Sequence, residues 1–344
     1  MIKPIAAYQI GQDRCLIFPW ASGGNLLNYW EDFEQQRLSS DSVRWLLGQF
    51  KGVCSALEEL HENNTRHGDL KPENILWFKD NNSRGMLQIA DLGLAAFHEV
   101  EKHTNVRKGI QTITPSGTSR YEPPEMDKDR NTDNPRSRQY DIWSMGCVLL
   151  ELLVWLIYGY DSFKQFKIST QHFWESYDRS DGKKYYVHSY ADSCMRAMMT
   201  DLQGRSAYKD ILSLVQTRLL VVEVSEIYES CPDRRDTAKS LRTAITDIAE
   251  ENSKPPGYFA PVEETYPEER IRQQRRAVYQ DGGSLAAPQR QDVPSSLPAL
   301  TPTLGPSIDG NDGLRVMVRA PTGDINSSSL SSNASRNTEH QQVS

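Results

Sequence analysis

The sequence has few cysteines, and the five present show no spacing typical of a metal site or a disulfide framework. No two are separated by two residues, and their number is odd. This pattern favours isolated thiols in a reducing compartment, either the cytoplasm or the nucleus. Net positive charge is also lacking, since 39 lysines and arginines stand against 46 aspartates and glutamates. A generally basic binding surface is therefore disfavoured, and we expect neither DNA nor RNA as a partner.

Long hydrophobic runs are missing as well. The most apolar stretch, Cys147–Tyr158, contains Glu151 and is well short of the roughly 20 residues that a membrane-spanning helix needs. The first fifteen residues contain no apolar core typical of a signal peptide. We therefore interpret Cys147–Tyr158 as a buried helix and expect no membrane partner.

Apolar residues recur with the spacing of strands and helices up to about residue 250. Cys15–Trp20 is short, apolar and aromatic, which predicts a strand, and Asn25 is placed to cap a helix through Trp30. A stripe of apolar residues from Val43 to Leu60 predicts a long helix that begins at Ser40 or Asp41. Ile75–Phe78 and Met86–Ala90 flank a polar turn, which predicts a hairpin. Further helices are predicted at Tyr140–Tyr158, Tyr190–Asp201, Tyr208–Val222 and Asp236–Asn252.

The composition changes after about Glu251. The remaining chain is rich in proline, serine, asparagine and glutamine, as in PSSLPALTPTLGPS and NSSSLSSNASRN. Such a segment buries too little apolar surface to offset the entropy cost of ordering. We therefore predict a disordered tail over residues 252–344.

One short loop, His67–Asn74, combines a carboxylate, an ammonium group and an amide in the sequence HGDLKPEN. Taken alone, its residues have structural interpretations: Asp69 could cap a turn and Asn74 could bond to backbone. The pattern gains meaning from the motifs that follow it in order. They are Asp91-Leu-Gly93, Gly117–Glu125 (GTSRYEPPE), Asp141–Gly146 (DIWSMG) and a late Arg235.

In this order and spacing, the chain resembles the eukaryotic protein kinase family of the Ser/Thr type, over roughly residues 5 to 250. The resemblance implies an α+β, protein kinase-like fold with a mainly helical C-lobe and a remnant of the N-lobe sheet. It places Ile5–Ile10 and Cys15–Trp20 as two N-lobe strands.

The resemblance also implies roles in phosphoryl transfer, with ATP and Mg²⁺ as cofactors. Asp69 would orient the incoming hydroxyl and accept its proton, and Lys71 would contact the γ-phosphate. Asn74 and Asp91 would hold Mg²⁺, which prefers hard oxygen ligands. His67 is expected to be a buried core histidine without a role in proton transfer. The implied nucleotide-binding residues are Phe18, Pro19, Trp20, Ala21 and Leu76.

Four further residues have implied roles in substrate docking or in structure. Thr118 would bond to the catalytic residues, and Asp141 would hold the backbone of the His67–Asn74 loop. Glu125 and Arg235 would form a buried ion pair. Small-molecule kinases of related fold lack a segment like Gly117–Glu125, so a protein substrate is favoured.

Two departures from the family pattern stand out. Gly68 replaces the arginine that receives a phosphorylated activation loop, so control by loop phosphorylation should be weaker or differently built. No G-x-G-x-x-G precedes residue 67, and Lys3 is the sole lysine of residues 1–24. We therefore expect most of the N-lobe to be missing, with remnant strands and hinge over residues 1–24 and a C-lobe over residues 25–251.

Two functions remain open at this point. The first is a Ser/Thr protein kinase that transfers the ATP γ-phosphate to protein hydroxyls, with weak or no activity in this truncated chain. The second is a pseudokinase-like scaffold or regulatory module. A small-molecule phosphotransferase is disfavoured by Gly117–Glu125.

Overall fold

The computed structural model describes most of the first 281 residues and one short later segment. Of the predicted site residues, Thr118 lies outside the described part, as do Leu92 and Gly93 of the Asp91-Leu-Gly93 motif. The described residues are 1–11, 13–80, 83–91, 96–97, 119–129, 137–180, 182–202, 204, 206–222, 235–250, 254–281 and 317–319.

The strands form small antiparallel sheets. They are β1 (Ala6–Ile10), β2 (Asp13–Ile17), β3 (Thr65–Arg66), β4 (Ile75–Asp80), β5 (Ser83–Ile89), β6 (Ala96–Phe97), β7 (Trp174–Arg179), β8 (Gly182–Val187) and β9 (Met317–Arg319). β1 pairs with β2, β3 with β6, β4 with β5 and β7 with β8, and β9 adds a third strand beside β2. The predicted strand Cys15–Trp20 begins and ends earlier than expected, because Pro19 has no N–H to donate to a ladder.

The helices account for most of the domain. They are α1 (Leu26–Asp32), α2 (Ser40–Glu62), α3 (Glu125–Asp129), α4 (Gln139–Tyr158), α5 (Tyr160–Ser169), α6 (Ser189–Asp201), α7 (Ala207–Leu214), α8 (Ala238–Ala249) and α9 (Glu268–Asp281). Asn25 caps α1 as predicted, because its side chain accepts from the amides of Leu27 and Asn28 at 3.0 and 3.2 Å. The fold is α+β, as predicted, with a mainly helical lobe.

Helix α4 is the centre of the core. Every residue from Tyr140 to Tyr158 is buried, and α4 is the described helix whose length and apolarity would suffice for a membrane span. Here it is enclosed by protein: Trp155 packs against Tyr29 and Trp30, with ring centroids 6.1 Å apart in both pairs. The interpretation of this stretch as a buried core helix is confirmed.

The structure corrects the predicted domain boundary at residue 252. Tyr258 and Phe259 are buried, and the Tyr258 carbonyl accepts a bond from the Ala207 amide at 3.0 Å. Ile271 of α9 is wholly buried, and the Arg270 guanidinium contacts both carboxylate oxygens of Asp201. Residues 254–281 therefore belong to the domain. The rest of the predicted tail lies outside the described residues, apart from β9.

One buried carboxylate fixes the loop between β3 and β4. Asp141, in the first turn of α4, accepts bonds from the amides of His67 and Gly68 at 2.9 and 2.8 Å. His61 Nε2 lies 2.8 Å from the Asp141 Oδ2 atom. Burial alone would raise the pKa of Asp141, but the bonds with His61 and the backbone amides lower it below its usual value. The predicted role of Asp141 agrees with this geometry.

Replacing Ile271 by alanine tests whether residues 254–281 are part of the domain. Because this side chain is 0% exposed, Ile271→Ala should lower the free energy of unfolding by about 2–5 kcal/mol. The matched control is Ile168→Ala, at a side chain that is 77% exposed and whose loss should cost less than about 0.5 kcal/mol. Urea denaturation of both variants gives the comparison. Equal effects of the two changes would contradict the corrected boundary.

Replacing Asp141 by asparagine tests the anchor of the loop. Asp141→Asn should destabilise the protein by about 3 kcal/mol or more at pH 7, since it puts an amide N–H against buried donors. A lowered folded-state pKa means that this stabilisation is complete above pH 3.8 and is lost as the pH falls through the folded value. The gap between wild type and variant should therefore narrow below pH 3.8. Urea denaturation across pH measures it, with Asp161→Asn, at a 95% exposed side chain, as control. A pH-independent gap would contradict the assignment.

Candidate active site

The His67–Asn74 loop has a conformation that its sequence requires. It leaves β3, turns at Gly68, and ends in a short 3-10 turn over Pro72–Asn74. Gly68 has a φ of 83°, a left-handed value that glycine adopts without steric cost. Its amide points into α4, toward Asp141. Gly68, which replaces the arginine of the family pattern, thus has a backbone conformation that suits glycine.

The three predicted catalytic residues meet in this loop. Lys71 Nζ lies 2.7 Å from Asp69 Oδ2, and both side chains are largely buried. The Asn74 side-chain amide donates to the Asp69 carbonyl at 2.8 Å and to Asp69 Oδ2 at 3.0 Å. A cation and an amide therefore converge on one oxygen of the Asp69 carboxylate, in a geometry that orients it.

Asp91 is brought to the same place by the β4–β5 hairpin. Ile75 pairs with Ile89, and the Ala90 amide donates to the Asn74 carbonyl at 2.9 Å. Asp91 follows directly, with an exposed side chain and a φ of 62°, a value that is uncommon outside glycine. The end of the loop and the end of β5 therefore lie side by side.

The two predicted metal ligands fit Mg²⁺ chemically. The amide nitrogen of Asn74 is turned toward Asp69, which leaves its Oδ1 atom as an acceptor, and Asp91 supplies a carboxylate. Both are hard oxygen donors. Mg²⁺ is commonly held by one or two protein groups together with phosphate oxygens, so this small donor set is sufficient.

His67 is a structural residue in this site. Its side chain is 0% exposed, and its Nε2 atom lies 2.9 Å from the Ala90 carbonyl. Its Nδ1 atom accepts a bond from the Asp69 amide at 3.3 Å. Both ring nitrogens serve to join the loop to the end of β5, as expected for a core histidine.

The predicted nucleotide-binding residues lie on the hinge and on β4, and backbone bonds join β4 to the residues that follow the hinge. The Gly23 amide donates to the Trp77 carbonyl at 3.0 Å, the Trp77 amide donates to the Gly24 carbonyl at 2.8 Å, and Asn25 forms a bridge with Leu76. A Cβ at Gly23 would lie 2.3 Å from the Trp77 ring, so glycine permits this close approach. The hinge residues Phe18, Pro19 and Ala21 are half-buried, and Trp20 is exposed.

The predicted ion pair between Glu125 and Arg235 is present. Arg235 donates to the two carboxylate oxygens at 2.6 and 3.1 Å, and its own side chain is 0% exposed. Further bonds from Arg235 reach the Val221 and Gln139 carbonyls. Residues 119–127, which we call the docking segment, are thereby tied to the base of α4.

Sequence reasoning missed a second buried network at the docking segment. Arg120 donates to Glu151 Oε1 at 3.0 and 2.7 Å, and the Tyr121 hydroxyl donates to Glu151 Oε2 at 2.9 Å. Burial raises the pKa of the Glu151 carboxyl, while the Arg120 guanidinium opposes that rise. The sequence signal that could have predicted this network was Glu151, a single acid within an apolar helix. A buried carboxylate needs a hydrogen-bonding or charged partner.

Three relatives show what the chain is similar to. A probable myosin light chain kinase from Dictyostelium discoideum is 32% identical over 178 residues, which are 51% of this chain and 33% of that protein. Serine/threonine-protein kinase nekl-2 from Caenorhabditis elegans is 32% identical over 145 residues, which are 40% of this chain and 36% of that protein. CBL-interacting protein kinase 22 from Oryza sativa subsp. japonica is 31% identical over 137 residues, which are 40% of this chain and 28% of that protein.

The chain thus covers about a third of the length of these curated relatives. A family model described as a protein kinase domain matches residues 1–213, which is more than half of the 344 residues. The match includes the His67–Asn74 loop, Asp91, the docking segment and α4. On this evidence the chain belongs to the protein kinase domain family.

Proposed function

We propose that this chain is a Ser/Thr protein kinase domain that transfers the γ-phosphate of ATP to hydroxyl groups of a protein substrate. The observation that carries the proposal is the convergence of Lys71 and Asn74 on the Asp69 carboxylate, beside Asp91. Relatives whose names describe serine/threonine kinases support serine and threonine as the residues that receive the phosphate.

In this proposal, Asp69 holds the substrate hydroxyl in line with the phosphate and accepts its proton. Lys71, whose Nζ lies 2.7 Å from Asp69 Oδ2, would contact the transferring phosphoryl group and balance its negative charge. Asn74 and Asp91 would hold Mg²⁺, which supplies neutralisation of phosphate charge when bound. Asp141 acts through the loop backbone and is a positioning residue.

The substrate side of the proposal depends on the docking segment. It is held by two ion pairs, Arg120–Glu151 and Arg235–Glu125, so its backbone has a fixed place next to the His67–Asn74 loop. Lys167 adds a link by contacting Glu73 of that loop at 3.2 Å. A rigid docking segment near Asp69, the proposed proton acceptor, favours an extended protein substrate over a small molecule.

A second function, a pseudokinase-like scaffold, is favoured by two observations at the N-terminal end. Within residues 1–24, the single lysine is Lys3, which is exposed. Strand β1 is exposed along its whole length. We therefore propose weak nucleotide binding by this chain.

Replacing Asp69 by asparagine tests the first proposal. Asp69→Asn keeps the size of the side chain but removes the proton acceptor, so the transfer rate should fall by about a hundredfold or more. Transfer of labelled γ-phosphate to dephosphorylated casein at millimolar Mg-ATP provides the measurement. Asp161→Asn, at an exposed carboxylate on α5, should leave the rate unchanged. Wild-type transfer by Asp69→Asn would contradict the assigned role, and a folded wild type without any transfer would favour the scaffold.

Thermal unfolding with Mg-ATP tests the proposed weak binding. At about 1 mM Mg-ATP, we expect the free energy of unfolding to rise by less than about 1 kcal/mol. A ligand stabilises a protein strongly only when its concentration far exceeds its Kd, and weak binding means that this condition is not met. Asp91→Asn should remove the Mg²⁺-dependent part of the shift, since it takes away a metal-binding carboxylate. A rise of several degrees in the wild-type Tm would contradict weak binding. An equal shift in Asp91→Asn would contradict the metal assignment.

A further inference from the structure

We propose that the β7–β8 hairpin is a substrate-specificity element that holds the docking segment, and that Trp174, Lys183 and Tyr185 are its positioning residues. The hairpin belongs to none of the motifs that carry the family resemblance. The proposal rests on the proposed kinase function, because the docking segment binds a protein substrate only if the chain transfers phosphate to proteins.

The register of the hairpin sorts its side chains onto two faces. Trp174 pairs with Val187, Ser176 with Tyr185, and Asp178 with Lys183, so these six side chains share one face. Glu175, Tyr177, Tyr186 and Lys184 lie on the opposite face. The first face meets the docking segment, and we call it the inner face.

Two inner-face groups converge on one carboxylate of the docking segment. Lys183 Nζ lies 2.6 Å from Asp127 Oδ2, and the Tyr185 hydroxyl donates to the same oxygen at 3.0 Å. Partial burial and the Asp127 carboxylate together raise the pKa of Tyr185 to about 12, so its hydroxyl keeps its proton and remains a donor near neutral pH. The middle of α3 is thereby tied to β8.

The other contacts lie at the base of the hairpin. The Trp174 indole donates to the Glu122 carbonyl at 3.0 Å, and His172 Nδ1 lies 3.1 Å from the Ser119 carbonyl. The Trp174 and Tyr185 rings touch edge to face, with centroids 5.6 Å apart, which joins the two groups of contacts. The hairpin therefore contacts the docking segment at its middle and end, and His172, two residues before β7, contacts its start.

These contacts bear on specificity more than on the chemical step. The inner face reaches Glu122 and Asp127, whereas Asp69, Lys71 and Asn74 are held by each other and by Asp141. Loosening the hairpin should thus move the surface on which a protein substrate lies while leaving the catalytic groups in place. The expected result is weaker binding of the protein substrate with unchanged handling of ATP.

The test uses the double variant Lys183→Met/Tyr185→Phe in the full chain. Hydrogen exchange of amides in residues 119–127 should increase about threefold or more, since their opening becomes easier. KM for casein should rise about threefold or more, while kcat and KM for ATP change less than about twofold. The single variant Lys183→Arg should show both readouts closer to wild type than the double variant does, because it keeps a cation facing Asp127.

The matched control is Lys184→Met, which removes the neighbouring lysine from the opposite face of β8. It should leave exchange and KM at wild-type values. Unchanged exchange in the double variant would overturn the proposal, as would an equal loss of kcat. If exchange increases but no variant or wild type transfers phosphate, the proposed function fails and the specificity role fails with it, whereas the structural contact stands.

Discussion

The buried carboxylate of Asp141 is the interaction on which the site depends. It accepts bonds from two successive loop amides, and its pKa is lowered by His61 and by those amides despite complete burial. Amides that share one acceptor cannot turn independently, so the backbone before Asp69 has one orientation. Lys71 and Asn74 can then converge on the Asp69 carboxylate, with the Ala90 amide holding the Asn74 carbonyl.

Helix α4 extends this constraint to the whole lobe because it carries buried acids at two positions along its length. Asp141 near its start holds the His67–Asn74 loop, and Glu151 ten residues later holds Arg120 of the docking segment. At its C-terminal end, the Leu156 carbonyl accepts a bond from Arg37 at 3.0 Å. This buried helix thus connects the catalytic loop, the docking segment and the 3-10 turn Gln35–Leu38 that contains Arg37.

The catalytic loop could be predicted from its own sequence together with the motifs that follow it, because Asp69, Lys71 and Asn74 lie within one short stretch that resembles the family pattern. The Glu125–Arg235 pair spans the lobe and was predictable only through the family resemblance. Residues 254–281 were missed since their buried side chains, Tyr258, Phe259 and Ile271, are scattered among prolines and charges without helical or strand periodicity. The β7–β8 hairpin was missed for a related reason, as its strands are mostly polar.

The supports of the docking segment differ in strength, and that difference divides their roles. Arg120–Glu151 is almost wholly buried, and breaking such a pair costs about 3–5 kcal/mol because an unpaired charge remains inside. Lys183–Asp127 is partly exposed, and pairs of that kind contribute about 1 kcal/mol or less. The buried pair therefore fixes where the segment attaches, since its loss would threaten the fold. The hairpin pair can change without unfolding the domain, which makes the hairpin the side of the segment where substrate preference is able to vary.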